Sequence, residues 1–336
     1  DAATIPEIKS YWPVATYPDG TPRGARVWVD ENMIQGTARN VSFHVDWSPT
    51  TGGAFAKGSA IQLDFEFDGI DTKYLREMPP IENAIGHGRL TREEFDIEIT
   101  AGSVLGMPIG GSTAHMYDIH MPGQGTGEFN VKLTGPVPTI MDLIAYDPLN
   151  VPQKIDFDPT RLDGTANVDV AITVPLIKGV PKEDVDYRVE AQLRGTSVTD
   201  LLGGEGLREG SMILQLDGDR LSLAGDARLN GVPVSLYWRE DFAAGRDNPE
   251  AETTEVVLVG EFDETDIQAF GVDISDFLEG KAVGEATFIG RNFKFSRGYF
   301  TADTTDAVLK ASQLAWRKPV SSPAMVTGTL VLRDEG

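Results

Sequence analysis

The chain has 336 residues, of which 52 are acidic and 29 basic, giving a formal net charge of −23. On average a field of that sign repels nucleic acid and anionic bilayer surfaces, so nucleic-acid binding is disfavoured. Cysteine is absent, which rules out disulfides and thiolate metal sites, and a composition 40% hydrophobic with 36 glycines and 20 prolines fits a folded, β-rich chain rather than a disordered one.

After a Pro-rich, loop-like opening, Pro22 and Gly24 introduce a predicted amphipathic helix over residues 25–32 through Val27, Trp28 and Val29. Strand-like runs follow at 37–47, 60–68, 88–91, 94–100, 112–119 and 127–133. Their side chains keep a two-residue beat. Phe43, Val45 and Trp47 alternate with Ser42, His44 and Asp46, and Ile61, Leu63, Phe65 and Phe67 with Gln62, Asp64, Glu66 and Asp68. Phe95, Ile97 and Ile99 alternate with Asp96 and Glu98. Successive side chains of a strand point to opposite faces, so each run builds one apolar and one charged face. Turn signals at Gly86, Gly106 and Gly123 to Gly125 favour antiparallel meanders over crossover units.

A second short helix is predicted at 139–145, between Pro138 and Pro148. Strands resume at 168–174, 187–193, 211–216, 220–224, 226–229, 232–238 and 254–261. A helical stretch at 264–278, broken near Gly271, leads to strands at 282–289, 292–296, 299–302, 307–316 and 325–332. The expected fold class is therefore mostly β: an elongated, twisted antiparallel β-sheet with a few short helices. The expected organisation is a segment at 1–36 with an N-terminal capping helix, then a continuous repeating β region at 37–332, with a sub-boundary near 136–163. No run of about 18 apolar residues occurs and the first residues lack the regions of a signal peptide, so the chain reads as a soluble fragment of something larger.

Weak internal repetition runs through these strands. Gly88-Arg89-Leu90 followed by Phe95 and Ile97 has an echo in Gly284 to Phe288 followed by Phe293 and Phe295, and Gly106-Met107-Pro108-Ile109 has one in Gly231-Val232-Pro233-Val234. Hairpin turn chemistry and a stacked repeat architecture both account for it.

Chemistry-bearing constellations are sparse. His44, His87, His115 and His120 lack metal-ligand spacing; residues 115 and 120 of one strand face opposite ways, so the His115, Asp118 and His120 group points to no metal. No Gly-x-Ser-x-Gly elbow occurs, and the glycine runs at 123–127 and 203–206 lack the Lys-Ser/Thr ending of a phosphate loop. Carboxylate pairs abound, none marked by an apolar pocket. Asp64, Glu66, Asp68, Asp96 and Glu98 follow strand alternation, which suits a solvated convex surface better than a calcium loop. No catalytic residue, metal or cofactor is expected.

The stretch from Tyr11 to Trp47 resembles the start of a known domain. Trp12-Pro13, then Ala25-Arg26-Val27-Trp28-Val29-Asp30-Glu31-Asn32, then Gly36 before a strand, look like the YhdP-like branch of the AsmA-like superfamily. Tyr74-Leu75, Met78-Pro79-Pro80-Ile81, Asp147-Pro148-Leu149, Leu162-Asp163-Gly164, Val174-Pro175-Leu176, Gly225, Gly231-Val232-Pro233-Val234 and Trp238 continue the resemblance in order, over most of residues 11–316. It implies a taco-like sheet with a hydrophobic groove, in proteins anchored in the inner membrane of Gram-negative bacteria that reach through the periplasm towards the outer membrane. It also implies bridge-like, non-enzymatic phospholipid transport in outer-membrane biogenesis. The chain is short for the family and has no membrane helix. Partners are then phospholipid acyl chains and, through parts missing here, inner- and outer-membrane components.

The residues expected to line the lipid path are Phe43, Val45, Leu63, Phe65, Phe67, Phe95, Ile97, Ile99, Val131, Leu133, Val170, Ile172, Val189, Leu193, Leu214, Leu216, Leu236, Phe293 and Phe295. Read from the residues alone, the same set serves as a plain core packed on an opposite sheet. Two other functions therefore stand beside lipid transport: a structural or adhesive β-sandwich array with a sealed core, and a carbohydrate-active β-solenoid, whose aromatic platforms would have to come from the scattered Trp12, Trp28, Trp47, Trp238 and Trp316.

Overall fold

The computed structural model describes residues 2–11, 14–16, 19–20, 22–23, 25–46, 60–75, 77–121, 123–147, 149, 158–177, 179–199 and 206–331. Trp12, Pro13, Trp47, Pro148, Gly203, Gly204 and Leu332 lie outside the described residues. The chain is mostly β and its paired strands are antiparallel. It divides into two units: residues 1–135, 143–150 and 168–188 form the first, and residues 136–142, 151–167 and 189–336 the second.

The first unit opens with β1 (Ala2–Thr4) and α1 (Ile5–Tyr11), then β2 (Ala15–Thr16), β3 (Pro22–Arg23) and α2 (Ala25–Asn32). β4 (Met33–Asp46), β5 (Ala60–Thr72), β6 (Ile81–Thr91), β7 (Glu94–Val104), β8 (Met107–Pro108), β9 (Ser112–Tyr117) and β10 (Thr126–Pro136) follow. β1 pairs with β4, and the ladder runs on through β5, β6, β7, β9 and β10, with β8 beside the end of β7. α2 occupies the predicted span. α1 replaces the expected loop because Thr4 and Glu7 form a capping box: the Thr4 N–H donates to the Glu7 carboxylate at 2.8 Å, and the Glu7 N–H to the Thr4 hydroxyl at 3.4 Å. The two helices are tied together by Arg26, which donates to the Lys9 carbonyl at 2.8 Å and pairs with Asp30, and by Lys9, which donates to the Asp30 carbonyl at 3.2 Å and to that of Met33, at the start of β4, at 3.0 Å.

α3 (Val137–Ala145), β11 (Leu162–Pro175) and β12 (Asp186–Val198) contribute residues to both units. The second unit continues with β13 (Leu207–Asp217), β14 (Arg220–Leu229), β15 (Val232–Asp241), α4 (Phe242–Asp247), β16 (Thr254–Phe262), α5 (Glu264–Gln268), β17 (Leu278–Gly280), β18 (Ala282–Arg291), β19 (Lys294–Asp303), β20 (Ala307–Ala311), β21 (Trp316–Lys318) and β22 (Met325–Val331). β13, β14, β15, β16, β18, β19 and β22 pair in that order, and β17, β20 and β21 form a small separate sheet.

Several sequence expectations need correction here. The helix expected at 264–278 stops at Gln268. Asp273 accepts from the Ser275 N–H at 3.0 Å and the Ser275 hydroxyl at 2.7 Å, a local turn that competes with helix. The runs 220–224 and 226–229 are one strand that passes through Gly225 at φ 155, where a Cβ would lie 2.7 Å from the Met212 Cα. Asn292 and Phe293, expected in a strand, have φ 50 and 65 and make the two-residue turn between Arg291 and Lys294. The run 307–316 is interrupted by a short 3-10 turn at Ser312–Leu314.

Off-beat side chains in the first unit carry rows of opposite charge across the ladder. Asp64 faces Arg89, Arg89 faces Asp96, Asp96 faces His115, and His115 faces Glu128. Arg89 meets Asp64 at 2.7 Å, His87 meets Glu98 at 3.4 Å, and His115 Nδ1 bonds Asp96. Such cross-strand pairs reinforce register at the exposed surface. The bond to Asp96 raises the His115 pKa above the ordinary imidazole range, with Glu94 and Glu128 adding to it. Because the folded-state value is raised, the pair contributes fully below about pH 6.5 and its contribution is lost as pH rises through the raised value.

In the small sheet, the buried Lys318 ammonium donates to the carbonyls of Thr304 and Ala307 at 2.7 Å each, Pro319 at 3.1 Å and Thr305 at 3.2 Å. Lys318→Met removes the charge-assisted donor from four carbonyls and should destabilise the second unit by about 2 to 4 kcal/mol, read as a lowered denaturant midpoint; a change below about 0.5 kcal/mol would show that water replaces the ammonium. For the charged rows, the stability difference between wild type and His115→Gln should be largest near pH 5.5, stay below about 1 kcal/mol because the pair is exposed, and vanish near pH 9. A difference that grows with pH would contradict the assigned pairing.

Candidate functional site

In the first unit the apolar beats of neighbouring strands fall in register and make one face. Phe43 faces Leu63, Leu63 faces Leu90, Leu90 faces Phe95, and Phe95 faces Met116. The next row is Phe65, Gly88, Ile97, Ala114 and Phe129. A third runs from Phe67 through Gly86 and Ile99 to Ser112, while Val45 pairs with Ile61. Val131 and Leu133 share the face of Phe129 by alternation. A register slip between Arg39 and Ser42, with Asn40 at φ 51, sets Phe43 and Val45 on this face rather than the charged one.

Exposure changes along the face. At one end Ile5 of α1 is 3% exposed and packs with Phe67, Ile70 and Ala84, joined by Ile8, Met33 and Ile81. Phe65, Leu63, Phe95, Ile97, Ile99, Val45 and Val131 are only half-buried, Leu133 is buried, and Phe43 is 61% exposed. The Phe65 ring lies 6.4 Å from that of Phe67 and 6.5 Å from that of Phe95, centroid to centroid. A sealed core would bury these residues almost completely. Here the helix stops one end and the rest of the face keeps hydrocarbon in reach of solvent.

In the second unit the corresponding rows are Leu214, Leu223, Trp238, Val256, Phe288 and Gly298, and beside them Met212, Gly225, Leu236, Leu258, Ala286, Phe300 and Gly328. Leu207, Met212, Ala227 and Leu229 are buried as a cluster on which Leu193, Leu236, Leu258 and Phe270 pack. Leu214, Leu216, Leu223, Leu236, Leu258 and Phe300 remain half-buried. Val170 and Ile172 of β11, with Val189 and Leu193 of β12, are half-buried between exposed Asp169, Ala171, Glu190 and Gln192.

A third row, Leu216, Leu221, Glu240, Thr254, Gly290 and Phe295, carries the polar exception. Glu240 is 1% exposed and accepts from the hydroxyls of Thr253 and, at 2.6 Å, Thr254. Those hydroxyls in turn accept from the Asn292 N–H at 3.1 Å and the Phe293 N–H at 2.9 Å. The buried carboxylate thus organises the β18–β19 turn, and the Phe293 ring stands edge-on to Trp238 at 5.7 Å and lies 6.4 Å from Phe242. Phe293 is consequently a roof over one end of this face rather than part of a strand, while Phe295, 36% exposed, faces Gly290.

The structure places most of the expected lining residues on these faces and adds others. Leu90, Met116, Phe129, Leu223, Trp238, Val256, Leu258, Phe288 and Phe300 belong to the same rows; their own two-residue alternation carried the signal. Beyond Ser112, Glu240, Thr254 and the indole N–H of Trp238, the rows present hydrocarbon, thioether and glycine, an arrangement that can hold apolar matter largely without directional contacts. Among the described residues no helix is long and apolar enough to cross a membrane.

The family described as YhdP protein matches residues 1–291. No curated protein and no solved structure matches the chain. The match covers well over half of the sequence and agrees with the motifs between Tyr11 and Trp238; the chain belongs to the YhdP family, an AsmA-like, bacterial-envelope-associated family connected with lipid transport.

Proposed function

We propose that the chain is a segment of a non-enzymatic phospholipid conduit, in which acyl chains lie on the apolar sheet faces while the charged faces stay in water. The observation that carries this reading is the half-buried apolar surface beyond the α1 end of the first unit, from Phe65 through Leu63 to Phe43. A sealed sandwich would leave no such surface, and a carbohydrate site would need polar groups among the rows. Pulling two acyl chains from a bilayer into water costs on the order of 20 kcal/mol at about 0.8 kcal/mol per methylene. A sheet face that covers those methylenes removes most of that barrier. Apolar contact is non-directional, so a chain held this way can slide.

In this reading the chain works in the periplasm, between the inner and outer membranes, and meets membrane components through parts of the protein outside this chain. Its net charge of −23 keeps the charged faces from settling onto anionic headgroups. Polarity on the outside and hydrocarbon on the inside are then both needed for the same task.

The purified chain, incubated with dioleoyl phosphatidylethanolamine vesicles and examined by native mass spectrometry, should retain lipid. Leu63→Arg should lower that occupancy roughly a hundredfold, because a guanidinium in an apolar layer costs about 2.5 to 3.5 kcal/mol, while circular dichroism stays that of a folded sheet. Phe65→Asp should act in the same direction. A wild-type chain free of lipid, or a Leu63→Arg chain that loads like wild type, would contradict the proposal.

A further inference from the structure

Gly88, Gly284 and Gly328 sit within strands on the apolar faces and none has a positive φ, so no turn or strained backbone requires glycine there. Glycine inside a strand weakens it by roughly 0.5 to 1 kcal/mol and gives nothing to pack. What occupies the missing side chain's place is the same in each case. A Cβ on Gly88 would meet Phe65, whose Cε1 is 2.9 Å away, and Ile97 Cδ1 at 2.8 Å; one on Gly284 would meet the Phe262 ring, and one on Gly328 the Phe300 ring, with Cζ at 2.5 Å. All the close atoms at these three positions are side-chain atoms, mostly ring edges. Each phenylalanine lies down across the neighbouring strand and uses the glycine as its bed.

Resting on the reading of the faces as an acyl-chain path, we propose that these ring-on-glycine pairs set the depth of that path, and so make it fit extended hydrocarbon chains. A sheet face filled by upright side chains is about 5 Å deep, half of the ~10 Å between packed sheets. A ring that leans over the glycine of the next strand instead of standing upright can keep to one contact layer of about 3.5 Å. The difference, about 1.5 Å, is what distinguishes a chain lying flush from one held off the wall, where dispersion contact falls steeply. Phe65, Phe262 and Phe300 are half-buried, so part of each side chain is available for such contact. Both units use the device, on ladders that share none of these three pairs' strands, and in the first unit Phe67 reaches over Gly86 in the same way, with its Cζ 2.6 Å from where a Cβ would be, although the Glu98 carbonyl is close there too.

Gly88→Ala and Gly284→Ala each put a methyl group where a ring edge rests, and only a mobile ring tip need move to admit it. The ring then lifts into the path. Native mass spectrometry with vesicles of dioleoyl and of methyl-branched diphytanoyl phosphatidylethanolamine reads the result. Both variants should lose the thicker diphytanoyl lipid by at least about fivefold relative to wild type, and dioleoyl lipid by less. Adding Phe65→Ala to Gly88→Ala should restore loading, and Phe65→Ala alone should favour the branched lipid. Unchanged loading of both lipids in folded alanine variants, with only a lowered melting temperature, would reduce the pairs to a packing device and overturn the inference. A wild-type chain that takes neither lipid would instead overturn the transport reading itself.

Discussion

Adjacent residues of a β-strand cannot share a face, and this chain uses that constraint along nearly its whole length. Every strand that gathers apolar side chains on one side must place polar ones on the other, and antiparallel pairing then joins the beats of neighbouring strands into continuous rows. Helices could cover such rows, yet the helices here are short. α1 covers the end of one face through Ile5 and Ile8, and Phe270 packs against a cluster at one end of the other. The remaining rows stay half-buried. Strand pairing thus engages the backbone along the ladders while the hydrophobic side chains are covered only in part.

Register decides whether the rows exist at all. A slip of one residue would carry Leu63, Phe65 and Phe67 to the side of Asp96 and His115. The structure fixes register by two-residue turns such as Asn230 and Gly231, with φ 49 and 87, by bulges such as the one at Asn40, and by the opposite charges of Asp64, Arg89, Asp96 and His115. The charged face is thus more than a solubility coat. Its pairs select the one alignment that keeps the opposite face free of charge.

Much of this was legible in the sequence, because strand alternation needs only local order. The runs around Phe65, Ile97 and Leu236 announced both the strands and the side to which each residue points. What escaped was set by partners distant in sequence or by turn chemistry that lacks glycine. Asn292-Phe293 read as strand because phenylalanine is rare at positive φ, and its turn is held by Thr253, Thr254 and Glu240, far back in the chain. α5 ends just before Gly271, at φ 80, and what the sequence did not show is that helix fails to resume beyond it, where Ser275 bonds Asp273 in a local turn. α1 did carry a local signature, Thr4 and Glu7 at capping-box spacing with Pro6 between them, hidden by the proline-rich surroundings. The repeated Gly88 and Gly284 were visible as an echo, but only pairing shows that each lies beneath a phenylalanine of the preceding strand in the ladder.

The proposed function rests on an apolar face opposite a charged one, with phenylalanine rings leaning over glycines of neighbouring strands. The most direct measurement is a photo-crosslinking scan along β5 in living cells, with the reactive residue moved one position at a time from Ile61 to Glu66. The account predicts lipid adducts with a two-residue period, strong at Ile61, Leu63 and Phe65 and weak at Gln62, Asp64 and Glu66. Equal yields at both parities, or lipid at neither, would contradict it.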